Sequence, residues 1–234
     1  MNIALLGYGK MGRAVEQIAI ERGHKIVAKI DKENSDFNLK NADVAIDFSV
    51  PEAAFENISR AFKNKIPVVS GTTGWLDKYD EAVALCKQYH SGFLYASNFS
   101  VGVNLFFELN KRLAKLIQPY DYKVSIKEIH HLDKLDAPSG TAITLAEQIL
   151  PYTDYLNWTL ESEKNSDDEG LPIKSLREGE VPGTHEITYN SEIDSISIKH
   201  EAHNRNGFAL GAVLAAEFMA GKTGLYTMKD VLGL

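Results

Sequence analysis

A short apolar run, Asn2–Leu6, stops at glycine and passes directly into Gly7-Tyr8-Gly9-Lys10-Met11-Gly12. Met11, Ala14, Val15, Ile18 and Ala19 then recur at helical spacing. A G-x-G-x-x-G set between a strand and a helix is the tightest constraint in the chain, because each glycine has its own task. Gly7 permits the tight turn, Gly9 lets backbone N–H groups approach a pyrophosphate, and Gly12 lets the helix lie close to the strand. The helix start adds partial positive charge. Asp31, 24 residues beyond Gly7 at the end of the next β-branched run, is placed to accept hydrogen bonds from an adenosine ribose. Lys32 beside it can attract a 2′-phosphate, so NADH and NADPH both stay open as cofactors. The alternative is a plain glycine turn with a surface aspartate.

The rest of the first half repeats the same alternation. Residues 25–30, 43–48, 66–70 and 92–96 read as strands; 51–64 and 75–89 read as helices, the first with Pro51 in its opening turn. Such alternation predicts an α/β fold with a Rossmann-like doubly wound parallel sheet and right-handed crossovers. Ligands then sit beyond the carboxyl ends of the strands. The loops Asp47-Phe48-Ser49, Gly71-Thr72-Thr73-Gly74 and Ala96-Ser97-Asn98-Phe99 should therefore share a crevice with the glycine turn, although each alone reads equally well as an ordinary turn.

After Asn98 the pattern changes. Residues 101–117 form a long amphipathic helix, 123–130 alternate as a strand, 139–150 are helical, and 161–170 read as an acidic surface loop. Residues 185–190 and 194–200 alternate with period two and predict an antiparallel hairpin. Residues 207–220 form an apolar helix suited to the first layer. The expected division is residues 1–100 with 206–234 as a dinucleotide-binding domain, and 101–205 as a smaller α+β substrate and oligomerisation domain with an open mixed sheet.

Composition narrows the partners. A net charge of −7 over 234 residues argues against a nucleic-acid surface. The lone Cys86 cannot form an intrachain disulfide or a zinc finger, and no run is apolar enough to span a membrane. The N-terminal apolar stretch is too brief for a secretory signal. The expectation is a cytoplasmic protein with a small-molecule partner and no metal.

The densest polar stretch is Glu128-Ile129-His130-His131-Leu132-Asp133-Lys134-Leu135-Asp136-Ala137-Pro138-Ser139-Gly140-Thr141, which ends where a helix begins. The N–H groups of Ser139, Gly140 and Thr141 at that helix start suit an anion. Lys134 and a histidine add positive charge, which fits a substrate bearing a carboxylate. Neighbouring residues in a strand point to opposite faces, so His130 and His131 share a pocket only if the strand has ended. A structural histidine and a solvated lysine are the plainer reading.

This stretch, E-x-H-H-x-x-K-x-D-x-P-S-G-T, resembles the signature of the 4-hydroxy-tetrahydrodipicolinate reductase (dihydrodipicolinate reductase) family of lysine and diaminopimelate synthesis. The resemblance extends to Gly7–Gly12, 47–52 (DFSVPE), 71–74 (GTTG), 97–104 (SNFSVGVN) and 205–213 (RNGFALGAV). It implies NAD(P)H-dependent reduction of dihydrodipicolinate, a cyclic unsaturated imine with two carboxylates, to tetrahydrodipicolinate. It further implies His130 as the acid/base, Lys134 as a proton donor, and His131, Ser139, Gly140 and Thr141 around the substrate carboxylates. Gly7, Tyr8, Gly9, Lys10, Met11, Gly12, Asp31, Lys32, Gly71, Thr72, Thr73, Ala96, Ser97, Asn98 and Phe99 match cofactor-contacting segments. The family's homotetramer is built through the second domain's sheet, and closure of the two domains over both ligands is expected. Arg205 and Phe208 are read either as contacts of the closed site or as a hinge. Two departures bear on cofactor preference and pocket charge: only fifteen residues separate Asp31 from Asp47, and Leu132-Asp133 replaces a basic pair of many relatives. The competing readings are a semialdehyde or homoserine dehydrogenase, which in the acylating case needs a nucleophilic cysteine, and a non-catalytic dinucleotide sensor.

Overall fold

A computed structural model describes residues 1–31, 38–39, 41–163, 170–204 and 206–234. Lys32, Arg205 and most of the expected acidic loop lie outside the described residues. The chain runs β1 (Asn2–Leu6), α1 (Lys10–Glu21), β2 (Lys25–Ile30), β3 (Val44–Asp47), α2 (Pro51–Lys63), β4 (Val68–Ser70), α3 (Tyr79–Gln88), β5 (Gly92–Tyr95) and α4 (Val101–Ile117). It continues through β6 (Lys123–His130), α5 (Gly140–Ile149), β7 (Trp158–Leu160), β8 (Leu171–Arg177), β9 (Thr184–Asn190) and β10 (Ser195–Glu201). It ends with α6 (Asn206–Met219), β11 (Gly224–Tyr226) and α7 (Met228–Leu232). Two compact units result, Met1–Asn104 with Asn206–Leu234, and Leu105–Arg205.

The first unit is a six-stranded sheet in the order β11-β5-β4-β3-β1-β2, parallel throughout. The two-residue period of each strand sorts its side chains between two helical layers. Ile3, Leu5, Val44, Ile46, Val69 and Leu94 face α1 and α6, where Val15, Ala19, Ala212 and Ala216 are fully buried. Ala4, Leu6, Ala45, Val68 and Phe93 face α2 and α3, against Ile58, Phe62 and Cys86. Phe62 meets Phe93 edge-on at 5.4 Å. Each buried valine, leucine, isoleucine or phenylalanine among these is worth about 1.5–3 kcal/mol over its exposed form. Burial on both faces explains why these strands are apolar runs with no polar alternation. Strand order reverses between β3 and β2 on either side of β1, and this is where a doubly wound sheet opens its crevice.

The second unit is a five-stranded sheet in the order β10-β9-β6-β8-β7. β9 is antiparallel to both neighbours, while β6, β8 and β7 run parallel, so the sheet is mixed. One face carries α4 and α5: Phe106, Ile117, Leu145 and Ile149 cover Val124, Ile126, Ile173, Ile187 and Tyr189. The expected hairpin forms within a residue of its expected ends. Four elements are additional to the sequence reading: β7, β8, β11 and α7. β8 (LPIKSLR) and β11 (GLY) contain proline or glycine, which hides the strand signal. The helix expected from residue 75 begins at Tyr79, behind a short 3₁₀ turn, Leu76–Lys78.

Candidate active site

The carboxyl ends of β1, β3, β4 and β5 bring four loops to one edge of the first sheet. Gly7 has φ +94°, and its N–H donates to the Ile30 carbonyl at 2.8 Å, which seats the turn beside the end of β2. A Cβ on Gly7 would lie 2.2 Å from the Phe48 carbonyl oxygen, and one on Gly12 would lie 2.4 Å from the Gly7 carbonyl oxygen. Gly9 is different: nothing lies within 4 Å of where its Cβ would be. It is the N-cap of α1 and supplies no capping side chain, so among the described residues the N–H groups of Lys10 and Met11 have no acceptor and are open to an external one. This open cradle at a helix start fits the pyrophosphate of a dinucleotide.

Phe48 joins the loops. Its ring would be 2.2 Å from a Cβ on Gly71, and it packs edge-on against Phe99 at 5.7 Å. Asp47, fully buried at the end of β3, accepts hydrogen bonds from Ser49 Oγ (2.6 Å), Ser70 Oγ (2.8 Å) and Thr72 Oγ1 (2.8 Å). Burial raises its pKa, against the lowering effect of those hydroxyls. Thr72 therefore serves the frame of the loop, while Thr73 and Ser97 are exposed. Asn98 Oδ1 accepts from the Ser100 N–H at 2.9 Å, and Phe99 is buried. The Tyr8 hydroxyl donates to Glu16 and accepts from Lys29 Nζ at 3.1 Å, so Tyr8 is braced against α1 and β2. Asp31 follows Ile30 directly and is half-buried. Sequence reasoning placed the loop Asp47-Phe48-Ser49 at this crevice but assigned Asp47 and Phe48 no role of their own. Their signal was the hydroxyl residues Ser49, Ser70 and Thr72 around one acid.

In the second unit the chemistry collects at one end of the sheet. The buried face of β6 carries Val124, Ile126, Glu128 and His130 in succession. β8 brings Ser175, and β9 brings His185, into register beside Glu128. Glu128 has no exposed surface. Its Oε1 accepts from the Ser139 N–H (3.0 Å) and Ser175 Oγ (2.7 Å) and lies 3.5 Å from Arg177. Its Oε2 lies 3.3 Å from His130 Nδ1 and 3.6 Å from His185 Nε2, separations of an ion-pair cluster with imperfect hydrogen-bond alignment. Burial opposes the carboxylate charge. The combined contacts from His130, His185, Ser139 and Ser175 overcome it and hold Glu128 well below the usual carboxylate range. Burial pushes the His185 imidazole down, with Glu128 opposing.

Ser139 is the N-cap of α5, its hydroxyl accepting from the Ala142 N–H at 3.2 Å and lying 3.2 Å from His185 Nε2. With its own N–H given to Glu128, Ser139 is committed to the scaffold. Gly140 and Thr141 are left as the helix-start N–H donors, without a partner among the described residues. β6 ends at His130, so His131 is free of the strand's alternation. Lys134 Nζ sits 2.7 Å from both carboxylate oxygens of Asp136, and Arg177 braces the same loop through the Lys134 and Asp136 carbonyls. Glu128, Ser175, Arg177 and His185 were absent from the sequence-derived site. Glu128, His130 and His185 also place one potential ligand atom each within 4.8 Å of one another. Cys86 is buried in α3, and burial pushes its thiol up to about 11, which removes the nucleophile an acylating dehydrogenase needs.

A parallel α/β sheet with an open glycine cradle, together with a second unit that gathers an acid, two histidines and a free helix start, is the framework of a dinucleotide-dependent oxidoreductase. Residues 1–99 match the family model "Dihydrodipicolinate reductase, N-terminus", and residues 102–232 match "Dihydrodipicolinate reductase, C-terminus". The chain is 60% identical, across 99% of its length and 98% of the relative's, to the 4-hydroxy-tetrahydrodipicolinate reductase of Christiangramia forsetii. It is 40% identical to that of Rickettsia rickettsii over the same shares of each chain. The solved structure of dipicolinate-bound dihydrodipicolinate reductase from Paenisporosarcina sp. TG-14 aligns over 98% of both chains, at TM-score 0.77 and 25% identity. The chain belongs to the dihydrodipicolinate reductase family and is an oxidoreductase.

Proposed function

We propose that this chain reduces dihydrodipicolinate, formed from 4-hydroxy-tetrahydrodipicolinate, to tetrahydrodipicolinate, with NADH or NADPH as electron donor. The carrying observation is the convergence of His130 and the Ser139 N-cap of α5 on one buried carboxylate, Glu128, in a chain 60% identical to a reductase of that name. Lys10, Met11 and Gly12 would hold the pyrophosphate, Asp31 the adenosine ribose, and the loops 71–73 and 96–99 the nicotinamide end. When bound, the nicotinamide supplies hydride to the ring carbon conjugated with the imine.

The chain's own groups do the rest. The Gly140 and Thr141 N–H groups, with His131, hold a substrate carboxylate and fix the ring's orientation. Lys134 exchanges Asp136 for the dicarboxylate, and its positive charge stabilises the electron density that develops on the nitrogen side. His130 Nε2 delivers the proton that completes the reduction. Assembly as a homotetramer through the exposed strand β10 and the open face of the second sheet accompanies this reading, as does a cytoplasmic location. No helix among the described residues is long and apolar enough to cross a membrane.

Replacing Lys134 or His130 by alanine should lower kcat by about 10²–10⁴ and lower kcat/KM with it. The measurement is NADH or NADPH oxidation with dihydrodipicolinate. Wild-type kcat in both variants would overturn the assignment, and dinucleotide binding without turnover in the unaltered chain would favour the sensor.

A further inference from the structure

Two features around His130 have no part in the mechanism above: the carboxylate behind its ring and the missing side chain in front of it. Oε2 of Glu128 faces Nδ1 at 3.3 Å, and its partner oxygen Oε1 is already saturated by Ser139 and Ser175. A carboxylate accepts hydrogen bonds only, so the nitrogen facing it must carry the proton. On the other side of the ring, Gly183 has φ +156° and no side chain; a Cβ there would lie 3.1 Å from His130 Nε2. His185 is a titratable neighbour, its ring centroid 5.1 Å from that of His130, and Arg177 lies 3.5 Å from Oε1 on the far side of the carboxylate. Burial favours the neutral form of His185, and its Nε2 is shared between Oε2 and Ser139 Oγ.

We infer that Glu128 is a positioning residue that holds the proton on His130 Nδ1, and that Gly183 keeps Nε2 uncovered, so that proton exchange with the substrate runs through Nε2 alone. The inference rests on His130 as the proton donor. In the step itself, His130 starts doubly protonated: the Nε2–H bond breaks as a C–H bond forms on the substrate, the ring is left neutral with its Nδ1 proton toward Oε2, and solvent later returns a proton to Nε2. The same carboxylate fixes Ser139, so one buried group sets both the acid and the helix start that orients the substrate.

The test is nitrogen-15 NMR of histidine-labelled protein, which reads the tautomer of each neutral ring, combined with steady-state kinetics. In the wild type, the form that donates is the imidazolium with both nitrogens protonated, and the neutral ring left after Nε2 gives up its proton is expected as the Nδ1–H tautomer. Glu128→Gln keeps an oxygen for the Ser139 N–H and Ser175 but presents an amide donor to Nδ1, and should switch the ring to Nε2–H. Its kcat should fall at least a hundredfold, with KM changed less than threefold. The precedent in kind is the Asp-to-Asn change behind a serine-protease histidine, which traps the wrong tautomer and costs about 10⁴ in kcat. Glu128→Asp should restore the Nδ1–H tautomer and part of the rate. Gly183→Ala should lower kcat with the tautomer unchanged.

An Nε2–H tautomer in the wild type overturns the inference even if Glu128→Gln does not fold. So does a folded Glu128→Gln with wild-type kcat. If His130→Ala kept its rate while the tautomer switched as expected, the proton-donor reading would fall and the tautomer control would stand.

Discussion

Gly9→Ala separates the role of the glycine turn in binding from its role in folding. The backbone at Gly9 is extended, with φ −82° and ψ −153°, so alanine is not forced to a positive φ, and nothing lies within 4 Å of the new Cβ. Its effect on stability should stay within about 1 kcal/mol, because the loss of a glycine N-cap and the stiffer unfolded chain nearly cancel. The melting temperature should move by no more than about 2–4 °C. Binding should respond very differently. The space above Gly9 is where a phosphate must sit to reach the N–H groups of Lys10 and Met11, and a methyl group there holds it off. Each hydrogen bond to a charged group lost in this way costs about 1.5–3 kcal/mol. One lost bond therefore weakens dinucleotide binding about 10- to 150-fold. Gly12→Ala is the contrasting case. Its Cβ starts 2.4 Å from the Gly7 carbonyl oxygen and must retreat by about 1 Å to reach the 3.4 Å of ordinary contact, so α1 shifts and stability falls by about 1–3 kcal/mol. Fluorescence titration with NADH and NADPH, paired with thermal melts, reads both effects. A Gly9→Ala chain that melts normally and binds both dinucleotides within twofold of wild type would refute the placement of the pyrophosphate.

Two further outcomes follow from buried polar groups. Tyr189 is 2% exposed and its hydroxyl has no hydrogen-bond partner among the described residues, so Tyr189→Phe removes a desolvated group that gains nothing. It should stabilise the protein by about 1–3 kcal/mol, and a lower unfolding midpoint in urea would contradict this. In the pH dependence of unfolding, the lowered pKa values of His185 and Glu128 both give stability that is present above their ordinary values, 6.5 and 4.5, and lost as pH falls below each. Asp47, whose pKa is raised from 3.8, works with the opposite sign: its contribution is complete below that value and fades as pH rises through the shifted one. Urea titrations from pH 7.5 to roughly pH 3.5 should show stability declining in two stages, and Glu128→Gln should flatten the lower stage.

The central strands of the first sheet were legible because β1, β3, β4 and β5 face two helical layers. Ile3, Ala4, Leu5 and Leu6 must all be apolar for that, and an uninterrupted run between turn residues is what such burial looks like in sequence. β8 and β11 were not legible, for a related reason. Pro172 and Gly224 weaken the local signal, and the pairing that makes these segments strands comes from β6 and β5, 45 or more residues away or across a crossover.

The site divides along the same line. The glycine turn, and the run from Glu128 to Thr141, are contiguous, so a helix-start anion site in each and the family resemblance they carry could be read along the chain. The cluster around Glu128 is assembled across three strands, and its members come together only through the register of β8, β6 and β9. One local clue existed. The apolar face of β6 proceeds from Val124 to Ile126 and then, without leaving the core, to Glu128 and His130. A carboxylate at a position whose pattern demands burial requires partners that can repay its desolvation. The strands that flank it must therefore bring polar groups to the same height: Ser175 donates to one oxygen, and His185 sets its Nε2 3.6 Å from the other. Alternation within one strand thus identifies a buried charge, and the need to satisfy that charge identifies what the neighbouring strands must bring, before any of them is seen in three dimensions.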